Sequence, residues 1–351
     1  MPTEGGAKPR WITLALAAAA AALACGEPGP AEKPVVRLGY FPNVTHAPAI
    51  VGLEKRYFAD ALGSAVKLEP RTFNAGPEAV EALFSDALDV TYIGPNPAIN
   101  AFAQSRGEAV RIVAGATSGG AALVVAPSIS KPADLKGKKL ATPQLGNTQD
   151  VALRAWLKHQ GLSANLEGGG DVSIAPQPNA QTLETFRSGV VQGAWLPEPW
   201  VSRLVLEGGG AVLVDERSLW PNGQFVTTHL VVRRQFLDEH PDLVRKVVEA
   251  HVKAVDDANA DPAGARALVN RALERVTGKP LPEQVIERAW QSLGFTVDPL
   301  EASLRRSAKD AEEVGLLEPV DLDGIYDLGA LNEILRAGGR PEIALQGEGG
   351  S

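Results

Sequence analysis

Small amides, hydroxyls and glycines gather at five places in this chain, each just after a β-like run. They are Asn43 with Thr45 and His46, Asn74 with Ala75 and Gly76, Gly94 with Asn96, Thr117 with Ser118 and Gly119, and Asn147 with Thr148 and Gln149. Where a helical pattern follows, the helix N-terminus faces the same place. Its first N–H groups lack partners within the helix and its dipole is positive there, so an anion is favoured. A hydroxyl or amide at such a position is equally an ordinary helix cap. Capping accounts for any one loop; five in series, with no bulky residue blocking the tips, point to a site. One helix terminus contributes about 0.3–1 kcal/mol, or about 2 when partly buried. A micromolar complex needs about 8 kcal/mol. Several charge-assisted hydrogen bonds must therefore add to the dipoles, with apolar packing from Tyr40, Phe41 or Trp200. Neutral donors can hold a weakly basic anion such as a sulfonate, which asks less of a counter-charge than phosphate does. Arg37, Arg71 and Arg111 lie on β-like runs leading to loop tips, and facing solvent would explain each as well.

A sixth tip, Gly193-Ala194-Trp195-Leu196-Pro197-Glu198-Pro199-Trp200, combines two tryptophans, a carboxylate and two prolines. Proline fixes φ and extends its predecessor, so the loop is stiff before anything binds. Trp195 lies on the strand and is expected in the core, while Glu198 and Trp200 sit at the tip facing a cleft. Glu198 is the odd member. A carboxylate beside an anion is repulsive unless it is paired, binds an amine, or turns away.

Reactive chemistry has little to stand on. The histidines are scattered at 46, 159, 229, 240 and 251, there is no HExxH or CxxC, and the one cysteine excludes thiolate metal sites and disulfide scaffolds. No Gly-x-Ser-x-Gly elbow follows a strand. No catalytic residue, metal or cofactor is expected. Net charge is −8 with both signs interspersed, and no basic stripe marks a nucleic-acid partner.

The elements that must position these tips alternate. Runs at 35–40, 66–73, 90–93 and 110–116 read as strands, with helical patterns at 47–58, 78–88 and 98–104 between them. A second unit repeats the scheme, with strands at 122–126, 139–142, 172–174, 194–196 and 211–214 and helices at 151–159, 180–187 and 200–206. Short loops between alternating strands and helices signal an α/β fold with largely parallel sheets. After a β-rich run at 225–232 the chain is nearly all helical, at 241–258, 261–276, 282–293, 301–314 and 327–337. Residues 339–351 are Gly-rich and read as a flexible tail. At the other end, Lys8 and Arg10 precede an apolar run from Trp11 to Ala24, too short to span a bilayer comfortably, which reads as an export signal over 1–24. Residues 25–34 read as a tether.

Several motifs occur in order: Gly39-Tyr40, Phe58-Ala59, Asn74-Ala75-Gly76, Ile93-Gly94-Pro95-Asn96-Pro97, Asp134-Leu135-Lys136-Gly137 and Glu198-Pro199-Trp200. Together they resemble the substrate-binding proteins of ABC importers, in particular the aliphatic sulfonate, taurine and nitrate group. The resemblance covers about residues 35–320. Ala22-Leu23-Ala24-Cys25 is similar to a lipobox, with Ala22 where Leu is usual, and implies lipidation at Cys25. Cleavage at an Ala-x-Ala site would instead release a soluble secreted chain.

The resemblance implies a two-lobed periplasmic-binding-protein type II fold with two crossovers, near 123–126 and 226–230, and a ligand cleft between the lobes. Lobe one would be 35–124 plus 228–338, and lobe two 125–227. The loop after Tyr40, Asn74 to Gly76, Gly94 to Asn96 and Thr117 to Gly119 would form one wall. Asn147 to Gln149, Glu198 and Trp200 would form the other, with His46 and His229 possible structural residues. The implied partners are a small organic anion, most readily an aliphatic sulfonate, and a membrane permease. The protein would be a monomer outside the cytoplasmic membrane or in the periplasm. Taurine, nitrate or a thiamine pyrimidine precursor are the alternative ligands. A pyrimidine-synthase-like enzyme is the alternative class, for which the cysteine-rich metal motif is missing.

Overall fold

In the computed structural model, which describes residues 1–3 and 33–345, strand and helix alternate from Val35 onward. The chain divides into two units, Met1–Pro34 and Val35–Ser351. The export signal and Cys25 lie outside the described residues, as does the tether apart from its last two. The first lobe begins with β1 (Val35–Tyr40), α1 (Ala47–Glu54), α2 (Tyr57–Leu62), β2 (Lys67–Thr72), α3 (Gly76–Phe84), β3 (Val90–Ile93), α4 (Pro95–Gln104) and β4 (Val110–Gly119). The second holds β5 (Ala121–Val125), β6 (Lys139–Thr142), α5 (Thr148–His159), β7 (Ser173–Pro176), α6 (Asn179–Arg187), β8 (Gly193–Pro197), α7 (Trp200–Leu206) and β9 (Ala211–Asp215). The chain then returns through β10 (Val226–Arg233), α8 (Arg234–Glu239), α9 (Pro241–Ala260), α10 (Pro262–Thr277), α11 (Glu283–Gln291), β11 (Leu293–Phe295), α12 (Glu301–Glu313) and α13 (Gly329–Ala337).

Two sheets result, a six-stranded one ordered β11-β4-β10-β3-β1-β2 and a five-stranded one ordered β7-β6-β8-β5-β9. β1 runs parallel to β2 and β3, and β6 runs parallel to β7 and β8. Their carboxyl ends therefore share one edge in each sheet, where ligands of open α/β sheets bind. The returning β10 is antiparallel to both neighbours, and β5 is antiparallel to β8 and β9. Alternation of residue types is blind to strand direction, so these reversals are not readable beforehand.

The first change of sheet falls at Gly119 and Gly120, whose φ angles of 78° and 74° favour glycine. Residues 121–124, expected in lobe one, are in β5 of the second sheet because the turn comes earlier. The second change occupies the segment between β9 and β10. One face of the first sheet is covered by α9, whose Val244, Val247, Val248, Val252 and Val255 recur at helical spacing and are buried. Within that core the His251 Nε2–H donates to Gly115 O at 2.7 Å, and Nδ1 accepts from the Tyr92 hydroxyl at 2.8 Å.

The tail differs from expectation as far as Leu345. Ile343 exchanges two hydrogen bonds with the Asn332 amide, at 2.9 and 3.1 Å, and Ile343 and Leu345 pack on the first core. One side-chain amide supplies both the donor and the acceptor that a neighbouring strand would, which docks this segment without regular structure. Among the described residues no helix is long and apolar enough to cross a membrane.

Candidate ligand cleft

Between the lobes lies a cavity of about 340 Å³, its open mouth included. Lobe one lines it with Phe41, Asn43, Thr45 and His46 after β1, Asn74 and Ala75 before α3, Gly94 before α4, and Thr227 and Thr228 of β10. Lobe two contributes Pro143, Asn147, Thr148 and Gln149 around the start of α5, Asn179 at the start of α6, and Pro197 at the end of β8. No Arg, Lys, Asp or Glu is among these residues.

Four helices start at this cavity: α3, α4, α5 and α6. None carries a side-chain cap; their cap positions are Ala75, Gly94, Asn147 and Pro178. The capping role that could explain each loop alone is thus left unused. Four such termini, at about 0.3–2 kcal/mol each, reach at most about the 8 kcal/mol of a micromolar complex.

Two polar atoms at the cavity reinforce this. Thr148 Oγ1 and Asn179 Oδ1 are buried without a hydrogen-bond partner, on residues 5% and 8% exposed. An orphaned buried polar atom costs about 1–3 kcal/mol, and both line the space a ligand would fill.

The loops are held by deeper contacts. Asp150 accepts from Thr142 Oγ1 at 2.8 Å, from Gly146 N–H at 3.0 Å and from Arg154 Nε at 3.0 Å, which fixes the turn before α5. Thr45 O accepts from Thr117 Oγ1 at 2.7 Å and from Thr228 Oγ1 at 3.2 Å, which pins the turn after β1. His46 Nδ1 accepts from Phe41 N–H at 3.3 Å, so its ring proton is on Nε2. Burial pushes the His46 pKa down to about 3, so the ring is a neutral donor. A Cβ at Gly94 would overlap Thr148 Oγ1 of the other lobe, so close approach requires glycine there.

Of the expected site residues, Asn43, His46, Asn74, Gly94, Asn147, Thr148 and Gln149 line the cavity. Tyr40 does not; its ring packs on the first core near Glu54 and Arg275, and Phe41 takes the place at the cavity. Gly76 admits Pro97 where a Cβ would clash. Asn96 is buried with Nδ2 donating to Ser307 O at 3.0 Å. Thr117 is spent on Thr45, while Ser118 and Gly119 face another cavity, beside Phe295 and Asp298. Arg37 pairs with Asp89 and Arg71 with Glu69, and Arg111 binds the Gly107 and Val110 carbonyls.

Trp200 reaches across the lobes without lining the cavity, its Nε1–H donating to Asn43 Oδ1 at 3.0 Å. Arg203 stacks on its ring, 4.8 Å from guanidinium carbon to centroid. Trp195 is fully buried and donates to Glu216 Oε2 at 2.7 Å. Glu198 turns away. Its carboxylate accepts from Ser202 N–H and Ser202 Oγ, both at 3.0 Å, and lines a different cavity. His229 donates from Nε2 to Pro299 O at 2.8 Å, away from the cleft.

Thr45 lines the cavity with the rest of its loop, and Thr227, Thr228 and Asn179 line it from outside the expected loops. Asn179 had a signal, since Pro178-Asn179 opens a helical run, though the pair also reads as an ordinary helix start. Thr227 and Thr228 lie within a strand and carry no sign of function.

The sequence pattern of the NMT1-like family matches residues 29–273. The taurine-binding periplasmic protein of Escherichia coli strain K12 is 31% identical over 215 residues, which is 61% of this chain and 64% of that protein. The match thus spans just under two thirds of that relative. In structure, the alkanesulfonate-binding protein of Xanthomonas axonopodis pv. citri, solved bound to MOPS, has a TM-score of 0.68 at 24% identity, covering 83% of this chain and 96% of that one. The periplasmic nitrate-binding protein of Synechocystis PCC 6803 has a TM-score of 0.72 at 17% identity, covering 87% and 89%. Both share the periplasmic-binding-protein fold with this chain.

Proposed function

This chain belongs to the NMT1-like family, and from that premise we propose that it is the substrate-binding protein of an ABC importer for a small organic monoanion, first of all an aliphatic sulfonate. One observation carries the reading: four helix N-termini without side-chain caps meet at a cavity whose lining holds neutral donors and no charged side chain. A delocalised single charge suits dipoles and N–H groups, whereas a dianion would call for a fixed cation. Phe41, Ala75, Pro143 and Pro197 give an alkyl tail an apolar wall.

Taurine is the less favoured ligand. Its ammonium asks for a carboxylate, and the Glu198 oxygens are engaged by Ser202 outside the cavity. A pyrimidine would gain from stacking, and the only aromatic carbocycle at the cavity is Phe41. Delivery to a membrane permease and anchoring outside the membrane through a lipid on Cys25 complete the proposal. The anchor is checked by the intact mass of the mature chain.

Calorimetric titration with ethanesulfonate, butanesulfonate, taurine and nitrate tests the ligand class. The alkanesulfonates are expected to bind at micromolar Kd and taurine at least tenfold more weakly. Absence of heat with every alkanesulfonate would overturn the reading. Ligand released from the purified protein is expected unchanged, and a converted product would restore the enzyme class.

A further inference from the structure

A second cavity between the lobes, of about 510 Å³ with its open mouth included, shares no lining residue with the ligand cleft. Glu198 stands on its lobe-two side, and Arg288, Gln291 and Ser292 at the end of α11 on its lobe-one side. Glu198 is only 2% exposed. Its Oε2 accepts from Ser202 N–H and its Oε1 from Ser202 Oγ, within lobe two. The remaining contact crosses the lobes, with Ser292 Oγ 3.3 Å from Glu198 Oε1.

Counting hydrogens decides the nature of that contact. Ser292 Oγ also lies 2.8 Å from Ala289 O, in its own helical turn. A serine hydroxyl has one hydrogen, and a carbonyl can only accept. With that hydrogen given to the shorter contact, Ser292 Oγ meets Glu198 Oε1 as acceptor against acceptor. The bond then forms only if the carboxyl brings its own hydrogen. We propose that a proton on Glu198 carries the inter-lobe hydrogen bond to Ser292, so that closing the lobes takes up a proton and opening them releases it. This makes Glu198 a positioning residue for ligand capture, and it rests on the reading of the chain as a receptor that closes over its ligand.

The surroundings agree. Burial pushes the Glu198 carboxyl up to about 7, against the opposing pull of the Ser202 bonds, Arg288 and the nearby Ser292 hydroxyl. Besides Glu198, the charged groups at this cavity are Arg288 on α11, Asp215 at the end of β9 and Arg217 just after it. Arg217 is engaged by Asp215 at 2.6 Å, and Arg203 on α7 by Glu207 at 2.9 Å. When the lobes part, Ser292 withdraws and water reaches Glu198, which returns the carboxyl toward its ordinary range. A group whose pKa is higher in the closed state favours closure at low pH, and that preference is lost as pH rises through about 7.

The test uses the mature chain, first without ligand. Small-angle scattering from pH 5 to pH 8 should show a compact form giving way to an extended one as pH rises. The closed-to-open ratio should change by up to about tenfold per pH unit, the limit for one coupled proton. Glu198→Gln keeps an oxygen for Ser202 and supplies an N–H for Ser292, so it should stay compact throughout. Calorimetry with ethanesulfonate at pH 6.5, in two buffers of different ionisation enthalpy, should show proton uptake on binding by the wild type and none by Glu198→Gln. A wild type whose compactness ignores pH, or a Glu198→Gln variant that follows the wild-type curve, overturns the proposal. If no sulfonate binds, the ligand reading fails while the scattering still decides this one.

Discussion

Thr148 stands at the first turn of α5 with its hydroxyl buried and unpartnered, and a bound anion would complete it. Thr148→Val keeps the shape and removes the oxygen. We expect ligand affinity to fall about 5- to 30-fold, the worth of a hydrogen bond of about 1–2 kcal/mol. Thermal stability without ligand should hold or rise, because the orphaned group is gone. Titration calorimetry beside a melting curve checks both, and equal loss in the two would mark Thr148 as structural. Asp150, two residues on, has the opposite character. It is fully buried and takes three hydrogen bonds, one from the Arg154 guanidinium. Asp150→Asn leaves Arg154 without its counter-charge, and breaking a buried pair costs about 3–5 kcal/mol. Urea unfolding should show that loss directly.

At the scale of elements, the starts of helices do the binding and the close approach of two of them sets the fit. Gly94 before α4 lies against Thr148 of α5. Gly94→Ala should wedge the lobes apart and weaken binding more than tenfold while leaving the melting temperature without ligand within about 2 °C. Adding Thr148→Ala should restore the compact form, seen by scattering, without restoring full affinity. Much of this was legible in the sequence, because strand ends and helix starts announce themselves through β-like runs, prolines and small polar residues. What rotation does to a side chain was not legible. Asn43 and Asn96 look alike as loop amides, yet one faces the cavity and the other bonds Ser307 O. Glu198 sits one residue past the cavity-lining Pro197, and that single step turns it into another space. The threonine pair of β10 escaped notice because its contribution depends on β10 inserting between β3 and β4, a long-range pairing that no local pattern encodes.

At the scale of the molecule, burial among the described residues keeps three histidines neutral and leaves two glutamates partly protonated near pH 7. Burial pushes His46 down to about 3, and His229 and His251 to about 4. It pushes Glu198 and Glu216 up to about 7. Below the ordinary histidine value of 6.5 the unfolded chain gains protons that the folded histidines refuse, so stability falls with pH. Between 4.5 and about 7 the folded glutamates hold protons that the unfolded chain releases, so their contribution falls as pH rises. Three histidines against two glutamates leave one proton net. From these five groups we expect unfolding free energy to drop as pH falls below 6.5, by up to about 1.4 kcal/mol per pH unit near pH 4.5, and the loss to ease below about 4, where the folded His229 and His251 take up protons of their own. Urea midpoints across pH 3–8 check this profile. Replacing Glu198 and Glu216 by glutamine should make the upper segment steeper.

The two places where the chain changes sheet lie side by side, because Ser118 at the end of β4 pairs with Val226 at the start of β10. Residues of paired antiparallel strands lie about 4.5–5.5 Å apart, a gap that a two-residue turn closes. The second lobe is therefore an insert entering and leaving through one doorway. A chain in which Asn-Gly replaces residues 119–225 should fold as the first lobe alone, with the melting cooperativity of a single domain. The same doorway makes the second lobe a cassette that can be exchanged between relatives, carrying half of one ligand wall onto the other half of another.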